Sequence, residues 1–423
     1  MRHAANAVLI AVLFGIPWVR VGGEPLVLLD VPARKFHVAG LVIFPQELYF
    51  LWLIVATLAL ALFFFTALGG RLWCGWACPQ TVFTDVFAQL ARRIEGWRGS
   101  QRPARIAFWR HVALHTCWVI ASATIAFHVV GYFVSPYALL PRVRAGELGG
   151  ASFAFLAAMT ALAYADFVFV RQTFCKFLCP YARFQGLLFD RDTLVVGYDA
   201  RRGEPRGKRG SATGDCVDCK LCVQVCPSEI DIRKGLQLEC VACTQCIDAC
   251  DGVMDRLGRK RGLIAYRALA SLEGVRAPRI VRPRVVVYAA LLALVTTAFG
   301  VALSRRVPMD LVVEHNREAL TTRAADGRVG NAFTLHIENR ARVPESFRLR
   351  LESDPPGFEL IAGLNPIPME PTSIASARVF VMAPRAAGEA ELRFVLESAL
   401  RPGKSVTRAT HFIAPAGGAA GGR

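Results

Sequence analysis

The sequence predicts a multi-domain membrane protein, in which an α-helical transmembrane bundle of about five spans is joined to a small cysteine-rich α+β domain and a C-terminal all-β domain. The 423 residues are 54% hydrophobic, with a mean hydropathy of +0.37, which is more apolar than soluble domains usually are. Eight of the 13 cysteines fall between Cys216 and Cys250. Beyond about residue 310, apolar and polar residues alternate as in half-buried strands.

Four windows are long and apolar enough to cross a bilayer, which needs roughly 20 mostly apolar residues. They are Leu48–Leu68, Val112–Val134, Ala151–Val170 and Val285–Leu303. A fifth window, Ala4–Val19, is shorter and has the length of a signal peptide. No small-x-small cleavage site precedes Pro17, so we expect this segment to be retained as a first helix.

The basic residues predict which side of the membrane each loop faces. Residues 20–47 hold three Lys or Arg and residues 135–150 hold two, whereas residues 70–110 hold seven and residues 171–283 hold twenty. Because Lys and Arg accumulate in cytoplasmic loops, the two richer segments are predicted in the cytoplasm. The C-terminal domain is then periplasmic, and the chain is a multi-pass protein of the bacterial inner (cytoplasmic) membrane.

The net charge of +17 could indicate a nucleic-acid-binding surface instead of a cytoplasmic membrane face. The basic runs 201–209 and 256–261 flank the cysteine-rich segment near the bilayer, where they would meet anionic lipid headgroups. No nucleic-acid-binding fold is recognisable. We therefore predict the lipid bilayer as a partner and no nucleic acid.

The cysteine-rich segment contains one ligand pattern twice. Cys216-x-x-Cys219-x-x-Cys222-x-x-x-Cys226-Pro227 is followed 24 residues later by Cys240-x-x-Cys243-x-x-Cys246-x-x-x-Cys250. In such a run three close thiolates bind one [4Fe–4S] cluster and the fourth binds the other cluster. We therefore predict one cluster on Cys216, Cys219, Cys222 and Cys250, and a second on Cys240, Cys243, Cys246 and Cys226. The segment is then an α+β dicluster ferredoxin-like domain, with a pair of zinc sites as the less favoured alternative.

Two further thiol pairs follow the second and fourth predicted spans. They are Cys74-Gly-Trp-Ala-Cys78-Pro79 and Cys175-Lys-Phe-Leu-Cys179-Pro180. At i, i+4 spacing, both sulfurs of a pair are expected on one helix face. Four soft sulfur ligands favour Cu(I) or a redox role, although buried cysteine is also a common packing residue. After Pro79 an apolar helical stripe predicts an interfacial helix.

Other polar groups in the spans are weaker candidates. Asp166 is an intramembrane carboxylate that could contact a proton or a metal ion. His111 and His115 share a helix face, but no second helix offers matching partners for haem, so we expect an interfacial or core role. Cys117 is expected to be a packing residue.

The C-terminal part, from about Leu311 to Ile413, contains runs such as Phe333–Ile337 and Phe347–Leu351 that alternate apolar with polar. Punctuation by Pro and Gly, and a length of about 100 residues, predict an all-β immunoglobulin-like sandwich. The chain is thus divided into residues 1–200, a transmembrane helical region with both C-x-x-x-C-P motifs; 201–283, the dicluster domain; 284–304, the last transmembrane helix; and 305–423, the extracytoplasmic immunoglobulin-like domain.

Several runs resemble the cytochrome c oxidase accessory protein family, called CcoG or FixG, and the resemblance covers nearly the whole chain. They are Gly70–Thr81, Cys179–Gln185, Gly203–Arg206, Gly214–Cys219 and Gly262–Ile264. The resemblance implies two [4Fe–4S] clusters, a C-terminal immunoglobulin-like domain and copper handling by the C-x-x-x-C-P thiols. It also implies reduction of Cu(II) to Cu(I) for assembly of a cbb3-type oxidase, with oxidase assembly factors or copper chaperones as partners. The sequence departs from the family at Ser228-Glu229, where Thr-Gly is expected.

Two functions therefore compete. One is a copper-reducing assembly factor with cupric reductase activity, whose catalytic residues would be Cys74, Cys78, Cys175 and Cys179. The other is an electron-transfer subunit of a quinol-linked periplasmic reductase, as in related membrane polyferredoxins. The C-x-x-x-C-P repeats fit both, but the appended extracytoplasmic sandwich favours the first.

Overall fold

A computed structural model describes residues 2–97, 103–207, 214–316, 321–323, 328–384, 389–401 and 403–413. The chain divides into two compact units, Met1–Gly300 and Val301–Arg423. Part of the predicted basic run, residues 208–209, lies outside the described residues.

The first unit is mainly helical. Its helices are α1 Arg2–Gly15, α2 Leu48–Gly69, α3 Leu72–Trp76, α4 Pro79–Glu95, α5 Phe108–Val130, α6 Pro136–Ala145, α7 Gly150–Ala165, α8 Pro180–Leu188, α9 Ala200–Gly203, α10 Leu221–Gln224, α11 Gln245–Arg256, α12 Leu269–Leu272 and α13 Pro283–Ser304. Two π-helical turns, Asp166–Val170 and Phe174–Leu178, lie between α7 and α8.

Four helices among the described residues are long and apolar enough to span a membrane. They are Pro45–Gly69, Phe108–Val130, Gly150–Val170 and Pro283–Ser304, and the shorter Arg2–Trp18 is a fifth apolar helix. These helices confirm the long spans that the sequence predicts. The predicted window Val112–Val134 begins and ends four residues late, because the helix starts at Phe108 and ends before Gly131.

The apolar stripe after Pro79 is buried within the protein. Phe83 and Phe87 of α4 pack against Leu114 and Trp118 of α5 and against Phe167. The Trp118 indole N–H donates to the Phe87 carbonyl oxygen at 3.2 Å. Helix α4 is therefore held against the spans by its apolar face.

The cysteine-rich segment is closed by a two-stranded antiparallel sheet. In the first unit the strands are β1 Arg20–Val21, β2 Glu24–Pro25, β3 Val27–Asp30, β4 Lys35–Val38, β5 Leu41–Ile43, β6 Leu194–Tyr198 and β7 Ile264–Ala268. Strands β6 and β7 pair directly, so the chain enters and leaves the cysteine-rich segment side by side. The three-stranded sheet of β3, β4 and β5 stands in a segment where the sequence predicts only a loop.

The second unit is a sandwich of two antiparallel sheets. Its strands are β8 Met309–His315, β9 Thr322–Arg323, β10 Val329–Asn339, β11 Glu345–Asp354, β12 Glu359–Ala362, β13 Ile367–Met369, β14 Ser373–Met382, β15 Ala390–Ser398 and β16 Ser405–Phe412. One sheet has the order β12-β14-β10-β8 with β9 on β10, and the other has the order β13-β11-β15-β16. Phe333 from the first sheet and Phe347 and Phe394 from the second lie in one core. The predicted alternation is confirmed, since Phe347 and Leu349 are buried while Arg348 and Arg350 are not.

Candidate metal centres

The eight cysteines between residues 216 and 250 line two cavities. The inner cavity, of about 360 Å³, is lined by Cys226, Cys240, Cys243 and Cys246. The outer cavity, of about 380 Å³, is lined by Cys216, Cys219, Cys222 and Cys250. Cys222 also reaches the wall of the inner cavity. The structure thus brings together the two sets that the spacing predicts, each with three thiols from one run and one from the other.

The positions of the thiols distinguish a site for a single ion from a site for an iron–sulfur cluster. Within the described residues, no three His, Cys, Asp or Glu side chains converge on a point where they could hold a single ion. A structural zinc site needs four ligands within about 2.3 Å of one ion. Thiols distributed around a cavity instead suit a four-iron cluster held by four cysteines, so the residues present fit that group.

The two cysteine runs fold alike. Asp218 and Ala242, at matching positions after the first cysteine, have positive φ, as do Lys220 and Thr244 after the second cysteine. Each run then enters a helix, α10 or α11. These left-handed turns curl the chain around each cavity. The backbone N–H of Ala242 is hydrogen-bonded to the Cys240 sulfur, which stabilises its thiolate.

Of the cluster-domain cysteines, Cys222 and Cys243 are buried, Cys219 is exposed and the other five are half-buried. Burial raises the pKa of Cys222 and Cys240 to about 11 and that of Cys250 to about 12, and it raises the pKa of Cys246 further. A buried thiolate needs a compensating positive charge. Iron would supply that charge, and metal binding at these thiols would release their protons.

Both C-x-x-x-C-P motifs have the same backbone arrangement at the second cysteine. Cys78 has extended backbone angles (φ −67°, ψ 124°) and begins α4, with Pro79 in the first helical turn. Cys179 also has extended backbone angles (φ −73°, ψ 112°) and precedes α8, with Pro180 in the first helical turn. The expectation that both sulfurs of a pair share one helix face is therefore wrong. Proline lacks the N–H that a continued helix would need, so the chain turns and starts a new helix.

The four membrane-edge thiols, Cys74, Cys78, Cys175 and Cys179, lie within one another's electrostatic field. Burial, and secondarily the neighbouring thiols, raise the pKa of Cys74 to about 11 and that of Cys175 to about 12. Burial also raises the pKa of Cys78, against the opposing effect of the Gln80 and Thr81 N–H groups. The two motifs, 101 residues apart in the chain, thus meet at one place.

A buried amide holds one of these thiols. The Gln185 side chain is fully buried, and its Nε2 donates to Cys74 Sγ at 3.3 Å. Since Gln185 belongs to α8, which Cys179 begins, this contact joins one thiol motif to the other. Sequence reasoning missed this role, because nothing in the spacing of Gln185 distinguishes it from a surface residue of α8.

The membrane-edge motifs also contact the inner cavity. The Arg71 guanidinium donates to the carbonyl oxygens of Cys240 at 3.2 Å and of Ala182 at 2.8 Å. Lys176, inside the second motif, donates through Nζ to the Ser228 carbonyl oxygen at 2.7 Å. Arg71 and Lys176 were not singled out from the sequence, because both would equally suit a cytoplasmic loop.

The weaker candidates have ordinary partners. Asp166 Oδ1 accepts a hydrogen bond from Gln80 Nε2 at 3.1 Å. His115 lies 2.7 Å from the Tyr164 hydroxyl through Nδ1 and 3.2 Å from His111 through Nε2. Both histidines therefore have side-chain neighbours of the kind that an interfacial or core role requires.

A multi-pass membrane iron–sulfur electron-transfer protein is the class that this fold and site define. A sequence-family model described as a 4Fe-4S dicluster domain matches residues 170–269, a 4Fe-4S binding domain matches residues 50–98, and an IG-like fold at the C-terminal of FixG matches residues 299–415.

Among curated proteins, RdxA of Cereibacter sphaeroides is 37% identical over 93% of this chain and 91% of its own length. RdxB of the same organism is 36% identical over 82% and 78%. The nitrogen fixation protein FixG of Rhizobium meliloti is 33% identical over 92% and 85%. The chain belongs to the FixG/RdxA family, which confirms the resemblance seen in the sequence.

Proposed function

We propose that this protein reduces Cu(II) to Cu(I) at the four membrane-edge thiols for assembly of a cbb3-type oxidase. The observation that carries the proposal is the packing of the first thiol motif on a cluster loop. A Cβ on Gly75, next to Cys74, would lie 2.3 Å from the Ala242 carbonyl oxygen, and Ala242 stands between Cys240 and Cys243. When bound at the eight cysteines, two [4Fe–4S] clusters supply single electrons.

The membrane-edge thiols suit copper as a substrate. Soft thiolate ligands favour Cu(I) over Cu(II), so binding at two or more of these sulfurs favours the reduced ion. The reduction consumes one electron per copper and breaks no covalent bond of the protein. Burial raises the pKa of Cys74 to about 11, so metal binding there would displace the thiol proton.

The order of the sites gives the electrons a direction. The inner cavity touches the membrane-edge motifs through Arg71, Lys176 and Gly75. No corresponding hydrogen bond to the outer set of cysteines is found among the described residues. We therefore assign the inner set, with Cys226, the role of donor to copper.

The recipients of Cu(I) are proposed to be copper chaperones or assembly factors of the oxidase. We also propose that the cluster domain is cytoplasmic and that the C-terminal domain is periplasmic. The basic loops support this orientation, because twenty Lys or Arg lie in residues 171–283.

The test uses the full chain, purified without oxygen. The protein is reduced, freed of reductant and mixed with Cu(II) while Cu(I) is trapped by a chromogenic chelator. A variant with Cys74, Cys78, Cys175 and Cys179 changed to serine should keep its iron absorbance and stop producing Cu(I). Cys117→Ser, a change of a partly buried cysteine in α5, is the matched control and should behave as the unchanged protein. If the quadruple variant reduces copper at the unchanged rate, these thiols are packing residues.

A further inference from the structure

We propose that a cavity between the ends of two spans binds the headgroup of a membrane quinone. The cavity is open on one side, since Phe65 in its wall is 64% exposed. The last turns of α2, helix α3 and the segment leading into α13 form its walls, through residues that include Leu62, Phe65, Trp73, Trp76 and Ile280. Bound as its quinol, this ligand would donate two electrons, one to each of two [4Fe–4S] clusters, and would become the quinone with release of two protons. The inference rests on the proposed function only in naming this electron donor.

The cavity stands where a lipid-soluble ligand can enter it. Two ring contacts join helices α2 and α13, with the Phe50 and Phe299 rings 6.1 Å apart and the Phe63 and Tyr288 rings 6.4 Å apart. The cavity lies at the end of this helix pair that faces the cysteine-rich domain. Trp73 is 47% exposed and Ile280 is 72% exposed, so the walls present apolar surface that bilayer or ligand must cover.

The polar groups of the wall match a neutral headgroup better than a phosphate. The Arg282 guanidinium is already committed, since its Nε lies 2.9 Å from Asp190. The Asp192 carboxylate, also in the wall, is held by Arg276 at 2.7 Å and would repel an anion. Arg279 lines the cavity, is exposed and has no side-chain hydrogen bond to another described residue. Arg279 is therefore the donor that this wall offers, and it suits a carbonyl oxygen of a quinone.

One aromatic pair joins this cavity to the inner cysteine set. Trp76 lines the cavity, and its Nε1 donates to the Tyr266 hydroxyl at 3.1 Å. That hydroxyl donates to the Ala242 carbonyl oxygen at 2.8 Å, and Ala242 lines the inner cavity. A ligand against Trp76 is therefore two side chains from the loop of Cys240 and Cys243. A redox-active headgroup at that position could exchange electrons with the inner cysteine set, whereas a phospholipid could not.

Binding is measured on the full chain in uncharged detergent, without copper. The probe is a short-chain benzoquinone, used as such for calorimetric titration and as its azido derivative for light-driven labelling. Labelled peptides should contain Trp73, Trp76 or Ile280. Leu62→Trp fills the cavity and should weaken binding at least about tenfold, since overfilling a cavity costs binding energy. Leu58→Trp, one turn earlier on α2 at a position that is 65% exposed and outside the cavity, is the matched control and should bind within about twofold.

Arg279→Gln gives an independent test at the polar rim and should weaken binding without altering iron content or thermal unfolding. The proposal is wrong if the unchanged chain shows no saturable binding, if Leu62→Trp and Leu58→Trp bind alike, or if the label lies elsewhere. It is also wrong if short-chain phosphatidylglycerol displaces the quinone at equal concentration, because the cavity is then a lipid site. Failure of copper reduction at the thiols leaves this result untouched, and failure of quinone binding leaves copper reduction untouched.

Discussion

Gly75 packs directly on Ala242, so that a Cβ added to Gly75 would also lie 2.6 Å from the Ala242 carbonyl carbon. The first residue lies between Cys74 and Cys78 and the second between Cys240 and Cys243. A glycine is needed here because only a backbone without a side chain allows so close an approach. The membrane-edge thiols and the inner cysteine set are therefore parts of one packed structure.

Gly75→Ala should separate these two backbones. Overpacking of this kind costs roughly 1–3 kcal/mol, and the loop of Cys240 and Cys243 would have to shift. We expect a lower unfolding temperature and loss of iron by competition with a chelator. Gly252→Ala in α11 is the matched control, because nothing lies within 4 Å of a Cβ there, and this variant should be as stable as the unchanged chain or more so. Equal behaviour of the two variants would contradict the close packing at Gly75.

Arg71→Met should loosen the same contact through hydrogen bonding. Arg71 is only 6% exposed and donates to Cys240 and Ala182. Hydrogen bonds from a charged group contribute roughly 1.5–3 kcal/mol, so the free energy of unfolding should fall by about 2–4 kcal/mol in denaturant titration. Arg183→Met, a change of an exposed arginine on α8, should leave it within about 0.5 kcal/mol. A small effect of Arg71→Met would show that water replaces its contacts.

Glu229→Gly should stabilise the chain. Glu229 is exposed and has φ 56°, a left-handed conformation that costs a residue with a Cβ roughly 1–2 kcal/mol relative to glycine. The family resemblance places glycine at this position. We expect a gain of about 1 kcal/mol in unfolding free energy, whereas Glu239→Gly, at an exposed position without positive φ, should lose stability. A loss at both positions would mean that the Glu229 side chain has a role of its own.

Iron analysis tests the crossed pairing of the cysteines. The anaerobic protein should contain about eight iron atoms per chain. Cys250→Ser should damage the same cluster as Cys216→Ser, and Cys226→Ser the same cluster as Cys240→Ser, as seen in the magnetic resonance spectrum of the reduced protein. If Cys250→Ser instead reproduces the spectrum of Cys246→Ser, each run holds its own cluster and the crossed assignment is wrong.

Fusions to alkaline phosphatase test the orientation. The enzyme is active only outside the cytoplasm, so a fusion after residue 310 should be active and one near residue 205 inactive. The reason is the excess of Lys and Arg in residues 70–110 and 171–283. The reverse pattern of activity would place the cysteine-rich domain in the periplasm.

Local patterns in the sequence were sufficient for the spans, the alternating strands and the two cysteine sets. Apolar length defines a span wherever it occurs, and the spacing of Cys216 to Cys226 and of Cys240 to Cys250 decides which thiols can surround one cavity. The same local reasoning failed at Cys78 and Cys179, because a helical spacing was read across a residue that precedes proline. The short sheet of β3, β4 and β5 was also missed, since strands of three or four residues show too few alternations to detect.

The sequence by itself determined the class of protein and its family, because both depend on motifs whose residues are close together in the chain. Only the tertiary structure decided that Cys74 meets Gln185 across 111 positions of sequence, that Arg71 reaches the loop of Cys240, and that Trp76 stands between a cavity and Tyr266. The physical reason is that such contacts follow from how whole helices pack. A single hydrogen-bonding or apolar residue has no periodicity that could reveal its distant partner.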